Sequence, residues 1–313
     1  MRWRGNARSP NVDEASFITA LRQIALTPEA RGLNDDVATL GDLILTHDTI
    51  VEGVHYLPSD PPESVAWKLV AVNLSDLAAK GAVPVAALMS YTLTGDDAWD
   101  AAFVAGIDEA TRHFGIPLIG GDTVGLPPGN ARVTGMTAIG RSRGTVPSRS
   151  GARAGDALFV TGVIGDAGLG LKVAQGLAAH DEALLRSYQW PQPQLAAGAI
   201  LAPFVTAMMD ISDGLLIDAT RLGVASGVGV VIDIDTMPLS SAFRASAGDS
   251  QSARLTAATA GDDYQLLFTS ALPLPSLPCP VTRIGHIATG AGLKLVDHSG
   301  IVAIPDVRGW EHL

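Results

Sequence analysis

Apolar and polar positions recur with two different periods along the first half of the chain, and these periods predict both helices and strands. Apolar residues at helical spacing predict helices at residues 14–26, 63–80 and 97–114. Shorter apolar runs bounded by turn residues predict strands at residues 43–46, 85–93, 116–119 and 132–140. The first half is therefore predicted to be an α+β or α/β domain.

The second half repeats this mixture of elements. Strands are predicted at residues 157–161, 229–234, 264–269 and 281–284, and helices at 168–176, 194–206, 214–225 and 252–259. A polar, turn-rich segment with four arginines, residues 141–155, separates the halves. Domain boundaries lie in such segments, so the chain is divided into domains at residues 1–145 and 146–313.

Composition narrows the function classes. The chain has 313 residues, 47% of them hydrophobic, and a formal net charge of −11. This charge argues against nonspecific binding to nucleic acid or an anionic membrane, because both attract basic surfaces. No apolar run approaches the ~20 residues of a membrane helix, and residues 1–10 lack the apolar run of a secretion signal. A single cysteine, Cys279, excludes an internal disulfide. We expect a cytoplasmic protein.

Aspartates recur where apolar elements begin or end. Taken one at a time, such residues are most often helix caps or turn residues. Asp76 fits that explanation least, because it lies inside an apolar helical pattern, where an unpaired buried carboxylate would cost several kcal/mol. We therefore expect a cation to face Asp76.

A second acidic motif lies at a predicted passage from strand to helix. Asp210 and Asp213 stand three residues apart between the apolar residues Met209 and Leu215. Oxygen ligands such as these suit Mg²⁺ better than a softer metal. The two motifs together predict a magnesium site.

Two glycine-containing segments are candidate phosphate-binding turns. Residues 120–123 (GGDT) follow a predicted strand, and residues 161–166 (TGVIGD) lead from a strand to a helix. Glycines allow backbone N–H groups to approach a phosphate, and Asp122 could hold an accompanying metal. Neither segment is a Walker A loop or a dinucleotide-binding fingerprint.

Six ordered segments carry a family resemblance. They are NDDVA (34–38), THDTIVEGVHY (46–56), AVNLSDLAA (71–79), GGDT (120–123), DISDGL (210–215) and GDDYQLLFT (261–269). In this order they resemble the thiamine-monophosphate kinase family, within the wider group of ATP-binding enzymes related to aminoimidazole ribonucleotide synthetase.

The resemblance implies a fold and an activity. It implies a first domain whose sheet pairs with its counterpart in a homodimer, and a second α/β domain folded over the nucleotide. ATP and several Mg²⁺ ions are expected in the cleft, with thiamine monophosphate as the other substrate. The implied reaction is direct in-line phosphoryl transfer that gives thiamine diphosphate and uses no catalytic general base.

The resemblance also implies roles for residues at matching motif positions. The expected metal ligands are Asp36, Thr46, Asp48, Asp76, Asp122, Asp210 and Asp213. The expected nucleotide contacts are Gly121, Asp122, Arg149 and Ser212. The expected contacts to thiamine monophosphate are His55, Asp262 and Trp310.

Three positions depart from the family pattern. His47 stands where a hydroxyl residue is common, Asp262 where Glu is usual, and Asn34 where Gly is usual. Two alternatives stay open. One is another ATP-dependent enzyme of the aminoimidazole ribonucleotide synthetase-like group, and the other is a non-catalytic regulator that binds nucleotide or metal.

Overall fold

The two halves of the chain form separate β-sheets in the computed structural model, which describes residues 14–127 and 129–311. The first sheet consists of β1 (Ala38–Leu40), β2 (Leu43–Val51), β3 (Val83–Leu93), β4 (Leu118–Gly125) and β5 (Val133–Arg141). The spatial order of these strands is β1-β2-β5-β3-β4. β3 and β4 are parallel, and the other neighbouring strands are antiparallel.

The second sheet has seven strands among the described residues. They are β6 (Ala157–Thr161), β7 (Ala207–Ile211), β8 (Gly229–Asp233), β9 (Gln265–Ser270), β10 (Val281–Ala288), β11 (Gly292–Asp297) and β12 (Gly300–Val302). Their order is β12-β11-β8-β10-β6-β9-β7, and only β8 and β11 of this set pair in parallel. The structure therefore confirms the predicted mixed α/β fold class with two sheets.

Helices cover the sheets. The first half contributes α1 (Glu14–Leu21), α2 (Pro62–Ala79) and α3 (Asp97–Phe114). The second half contributes α4 (Asp166–Ala174), α5 (Glu182–Gln189), α6 (Leu195–Leu201), α7 (Leu215–Ser226), α8 (Ser241–Ala247) and α9 (Gln251–Thr259). None of the described helices is both long and apolar enough to cross a membrane.

Helix α2 joins the two halves. All of its residues from 64 to 79 are buried, as expected for a helix that is apolar on every side. It packs on α3, β2 and β5 of the first half, and on α6 and β7 of the second half. Polar side chains on α2 are therefore held between the two sheets.

Two of the predicted helices are longer than the observed ones. The helix predicted at residues 14–26 ends at Leu21, because Ile24 and Leu26 are more than three-quarters exposed and have no surface to pack on. The helix predicted at 194–206 ends at Leu201, and the strand predicted without bounds before the Asp210 motif is the buried β7. A short, wholly apolar run does not distinguish a buried strand from a helix.

The glycine segment at residues 120–123 is not a turn, and this prediction is wrong. These residues lie inside the edge strand β4, which is exposed along its whole length. A Cβ atom on Gly121 would lie 1.8 Å from the carbonyl oxygen of Met89. The close approach of β3 therefore explains the glycine without a phosphate.

Candidate active site

Three carboxylates from distant parts of the chain meet where the two sheets adjoin. Asp36, Asp76 and Asp210 each place one oxygen within 4.8 Å of the oxygens of the other two. Asp36 precedes β1, Asp76 lies near the end of α2, and Asp210 lies in β7. Because α2 packs against β7, the fold brings together residues that are far apart in sequence. We call these three residues the acidic cluster.

Neighbouring hydroxyl and amide groups orient these carboxylates. The Thr46 hydroxyl donates a hydrogen bond to Asp76 Oδ2. Ser75 Oγ donates to Asp210 Oδ2 at 2.6 Å. These partners restrict the carboxylates to one arrangement before any ligand binds.

Burial and mutual repulsion perturb the acidic side chains. Burial first, and then repulsion from Asp48, Asp210 and Asp36, raises the pKa of Asp76 well above its ordinary value. Burial and the charge of Asp36 raise the pKa of Asp210 to about 8. Burial, with the charges of Asp36 and Asp213, raises the pKa of Asp48 to about 6. A divalent cation would relieve this repulsion.

Asp36 differs from the other members of the acidic cluster because two cations contact it. Lys80 Nζ lies 2.6 Å from Asp36 Oδ2 and 2.5 Å from Asp35 Oδ1. Arg149 pairs with Asp36 Oδ1. Burial would raise the pKa of Asp36, but the charges of Lys80 and Arg149 outweigh it and lower that pKa.

Lys80 is a fully buried charge that the sequence analysis did not single out. Its ammonium also donates to the Met208 carbonyl oxygen at 3.2 Å. We expected a cation to face Asp76, but Lys80 instead pairs with Asp35 and Asp36. Asp76 receives the Thr46 hydroxyl and faces other carboxylates.

The segment between β7 and α7 presents Ser212 and Asp213 to the same region. Arg221 pairs with the Asp213 carboxylate and, at 2.9 Å, with Asp218 Oδ1. Asp218 Oδ2 accepts hydrogen bonds from the N–H groups of Asp213 and Gly214 at 3.1 and 3.2 Å. Asp218 thus caps the N-terminus of its own helix, α7, and Arg221 of the same helix fixes the Asp213 carboxylate.

The three residues expected to contact thiamine monophosphate come from both halves of the chain, His55 from the first and Asp262 and Trp310 from the second. His55 Nδ1 accepts from the Val51 N–H at 3.1 Å, which places the proton of the neutral ring on Nε2. Asp262 Oδ2 lies 2.6 Å from Lys68 Nζ. Trp310 is half exposed, and its backbone N–H donates to the Asp213 carbonyl oxygen at 2.9 Å.

Most of the residues singled out in the sequence line one cleft of about 1650 Å³. Its walls include Asp36, Asp48, His55, Asp76, Arg149, Asp210, Ser212, Asp213, Asp262 and Trp310. Thr46 lies behind this wall and holds Asp76. The cleft therefore combines several carboxylates with Arg149 and His55, which can bind anions, and with Trp310, which can pack on a ring.

Gly121 and Asp122 do not line this cleft. In the sheet register, Gly121 pairs with Met89, Met89 with Met136, and Met136 with Asp48. Three strand spacings therefore separate Gly121 from Asp48, which is about 14 Å. Within the described part of one chain, no contact joins Asp122 to the acidic cluster. Its role as a metal ligand stays a prediction.

The second glycine segment leads from β6 into α4, as predicted. The Gly165 N–H, however, donates to the buried Asp263 Oδ1 at 2.8 Å. A Cβ on Gly165 would lie 2.5 Å from the side chain of Ala257. Close packing, together with Asp263, accounts for this turn.

Several residues that support the site were missed from the sequence. The polar residues of α2 and its C-terminal end share one signal, since each interrupts an otherwise apolar pattern. They are Lys68, Asn73, Ser75 and Lys80. Asn73 Oδ1 accepts from the Asp48 N–H at 3.0 Å and so fixes β2 against α2.

The donor set of the acidic cluster fits Mg²⁺. The side chains that converge there are carboxylates with a threonine hydroxyl beside them, and they include no sulfur and no imidazole within the described residues. Hard oxygen donors of this kind favour magnesium or calcium over transition metals. Asp36, Asp76 and Asp210 are therefore the residues that could hold such an ion.

Both halves of the chain match known family models. Residues 34–142 match the N-terminal domain of AIR synthase related proteins, and residues 153–270 match their C-terminal domain. The first match contains all five strands of the first sheet, and the second match contains β6 to β9 of the second sheet. Both sheets thus belong to one known architecture.

Comparison with individual proteins is more specific. The thiamine-monophosphate kinase of Salmonella typhimurium is 34% identical, over 95% of this chain and 96% of that protein. The enzyme of the same name from Caulobacter vibrioides is 33% identical, over 91% and 86%. The solved structure described as AaThiL complexed with AMPPCP and TMP superposes with a TM-score of 0.87 at 29% identity, covering 98% of this chain and 99% of that one. This chain therefore belongs to the thiamine-monophosphate kinase family.

Proposed function

We propose that the protein transfers the γ-phosphoryl group of ATP to thiamine monophosphate, giving thiamine diphosphate and ADP. The observation that supports the proposal is the acidic cluster, built from both halves of the chain, in the same cleft as Arg149, His55 and Asp262. The names of the relatives and the ligands of the superposed structure support the same reaction.

The acceptor is itself a phosphate, and this determines what the protein must supply. A phosphate monoester has its second pKa near ~6, so it is largely a dianion at neutral pH. Such a nucleophile needs no general base, and the remaining task is to position two polyanions in line and offset their repulsion. We therefore assign no general base.

The acidic cluster is assigned to metal binding. Asp36, Asp76 and Asp210 would hold Mg²⁺, with Asp48 and Asp213 as further carboxylates lining the cleft. Bound Mg²⁺ would offset the negative charge of the phosphate oxygens of both substrates. Thr46 and Ser75 keep the carboxylate oxygens oriented.

Further residues of the cleft are assigned to the two substrates. Arg149 and Ser212 would bind the nucleotide, Arg149 as a cation that pairs with phosphate oxygens. The Nε2–H of His55 would donate a hydrogen bond to thiamine monophosphate, and Asp262 would accept one. The half-exposed ring of Trp310 would cover an aromatic or cationic ring of the substrate.

A homodimer formed through the first sheet is part of the proposal. The edge strand β4 is exposed along its length, and Leu118, Ile119 and Val124 on it are 41% to 62% exposed. An exposed apolar edge strand favours association with another strand. A second copy of the chain would cover β4, which light scattering would detect as twice the monomer mass.

A cytoplasmic location is also part of the proposal. It is supported by the single cysteine and the acidic composition.

One assay tests the proposed activity. The protein is incubated with ATP, Mg²⁺ and thiamine monophosphate, and we expect stoichiometric ADP and thiamine diphosphate. An aminoimidazole ribonucleotide precursor in place of thiamine monophosphate is the control for the related enzymes. Binding of ATP and Mg²⁺ with no product from either substrate would identify a non-catalytic regulator instead.

A further inference from the structure

Lys68 is a buried charge that none of the assigned roles uses. It lies on α2 with its side chain 3% exposed, and its Nζ is 2.6 Å from Asp262 Oδ2. The same ammonium donates to the His55 carbonyl oxygen at 2.9 Å. It also lies 4.5 Å from the centre of the Tyr188 ring, a cation–π contact. Lys68 therefore contacts both polar residues assigned to thiamine monophosphate.

Asp262 depends on these contacts for its orientation. Its backbone has φ of 66°, in the left-handed region that non-glycine residues rarely adopt, and Tyr264 has φ of 49°. The N–H of Asp262 donates to the Ser212 carbonyl oxygen at 2.7 Å. Its Oδ1 accepts from the Tyr264 hydroxyl at 2.9 Å, and Lys68 holds its Oδ2. Both carboxylate oxygens are thus fixed.

The other contact of Lys68 reaches the opposite half of the protein. His55 follows β2 of the first half, whereas Asp262 lies between α9 and β9 of the second. The His55 ring is fixed through Val51, and its carbonyl oxygen is fixed through Lys68. A single ammonium therefore sets the position of one half of the site relative to the other.

We propose that Lys68 is a positioning residue for the thiamine monophosphate site, which it forms by joining the His55 turn to the Asp262 carboxylate. This inference rests on the proposed function. Lys68 is about 12 Å from Asp76 along the axis of α2, so it acts on this substrate and not on the metal cluster. Within the described residues, loss of the ammonium leaves the Asp262 carboxylate with the Tyr264 hydroxyl as its side-chain donor.

The test compares kinetic constants for the two substrates. Lys68→Met removes the charge and keeps most of the side-chain volume, and Lys294→Met, on the exposed face of β11, is the matched control. We expect Lys68→Met to raise the KM for thiamine monophosphate on the order of 10- to 100-fold, the effect of losing a charged hydrogen bond. The KM for ATP should stay within about twofold, since the two hydrogen bonds of Lys68 are to residues assigned to the other substrate. Lys68→Arg, which keeps the charge, should recover part of the loss.

The outcomes separate the two proposals. Equal rises in both KM values, or no rise in either, would overturn the role of Lys68. If Lys68→Met does not fold, the same two KM values are measured for Lys68→Arg. We then expect a raised KM for thiamine monophosphate and an unchanged KM for ATP. A wild-type protein that makes no thiamine diphosphate would overturn the proposed function, and this inference with it.

Discussion

Helix α2 contributes to two sites that differ in their electrostatics. Near its C-terminal end, Asp76 faces other carboxylates, and burial with repulsion raises its pKa. About 12 Å nearer its N-terminal end, Lys68 pairs with Asp262, and each carboxylate oxygen has a donor. The first site holds surplus negative charge, whereas the second is already neutralised within the protein.

This difference predicts different consequences of mutation. Lys80 and Arg149 pair with Asp36, but among the described residues no cation pairs with Asp76 or Asp210, so these two carboxylates need a cation from outside the chain and should control metal binding and turnover. The Lys68–Asp262 site has its own cation and offers directed hydrogen bonds, so its residues should control the affinity for one substrate. The predictions below test this division, beginning with the largest expected effect.

The largest effect is expected for Asp76→Asn. This change removes a charge from the acidic cluster and keeps the side-chain shape. Metal-held charge stabilisation is worth several kcal/mol, so kcat should fall by about 10³-fold or more. Steady-state kinetics with Asp108→Asn, an exposed change on α3, as control would measure it. Turnover of Asp76→Asn like that of the wild type would refute the metal assignment.

The next largest effect is expected for Lys80→Met. Lys80 is fully buried between Asp35 and Asp36, and its removal leaves Asp35 with Arg31 and Asp36 with Arg149 as the remaining paired cations. Breaking a buried ion pair in this way should lower the free energy of unfolding by about 3 kcal/mol. Denaturant unfolding would measure the loss, with the exposed Lys294→Met as control. Equal stability of the two variants would show that Asp35 and Asp36 do not need Lys80.

A smaller and more selective effect is expected for Asp262→Asn. The amide keeps the shape of the carboxylate but weakens its pairing with Lys68 and its hydrogen bond to the substrate. The KM for thiamine monophosphate should rise by about tenfold, while the KM for ATP stays nearly constant. Steady-state kinetics with each substrate varied in turn would show it. A change in the Mg²⁺ requirement of this variant would contradict the division between the two sites.

The smallest effect is expected for Asp263→Asn, next to this site. Burial outweighs the hydrogen bond from Gly165 and raises the pKa of Asp263 well above its ordinary value, and its Oδ2 has no hydrogen-bond partner among the residues that the structure describes. Because the folded pKa exceeds the unfolded one, the stability from protonation is complete below about pH 4 and is lost as pH rises.

Asp263→Asn should therefore reduce the fall in stability between pH 5 and pH 8 by about 1 kcal/mol. Denaturant unfolding at both pH values would measure this difference for the variant and the wild type. An identical pH dependence would mean that Asp263 stays ionised without cost.

The sequence predicted regular elements well where local pattern decides structure. The helix at residues 97–114 has its predicted bounds, with Asp96 accepting from the Trp99 N–H at its start and Gly115 at its end. The bounds of strand β7 were not predicted, because Met208 and Met209 are both buried and their segment shows no alternation of apolar and polar residues.

The candidate site was predicted as far as its acidic residues. Asp76 stood out because a carboxylate interrupts an apolar segment, and Asp210 because it lies at a passage from strand to helix, whereas Asp36 was expected from the family resemblance. Lys68 and Lys80 carry the same kind of signal, but their partners come from distant parts of the chain, and only the packing of α2 between the sheets reveals them. The position of Gly121 and Asp122 in an edge strand likewise depends on strand order, which no local pattern gives.

The most direct test of the central claim is a calorimetric titration of Mg²⁺ into the protein with a non-hydrolysable ATP analogue present. We expect strong Mg²⁺ binding for the wild type, for Asp262→Asn and for Asp108→Asn, and a loss of that binding for Asp76→Asn. Equal Mg²⁺ binding by Asp76→Asn and the wild type would contradict the claim that the buried carboxylates of both halves hold the metal.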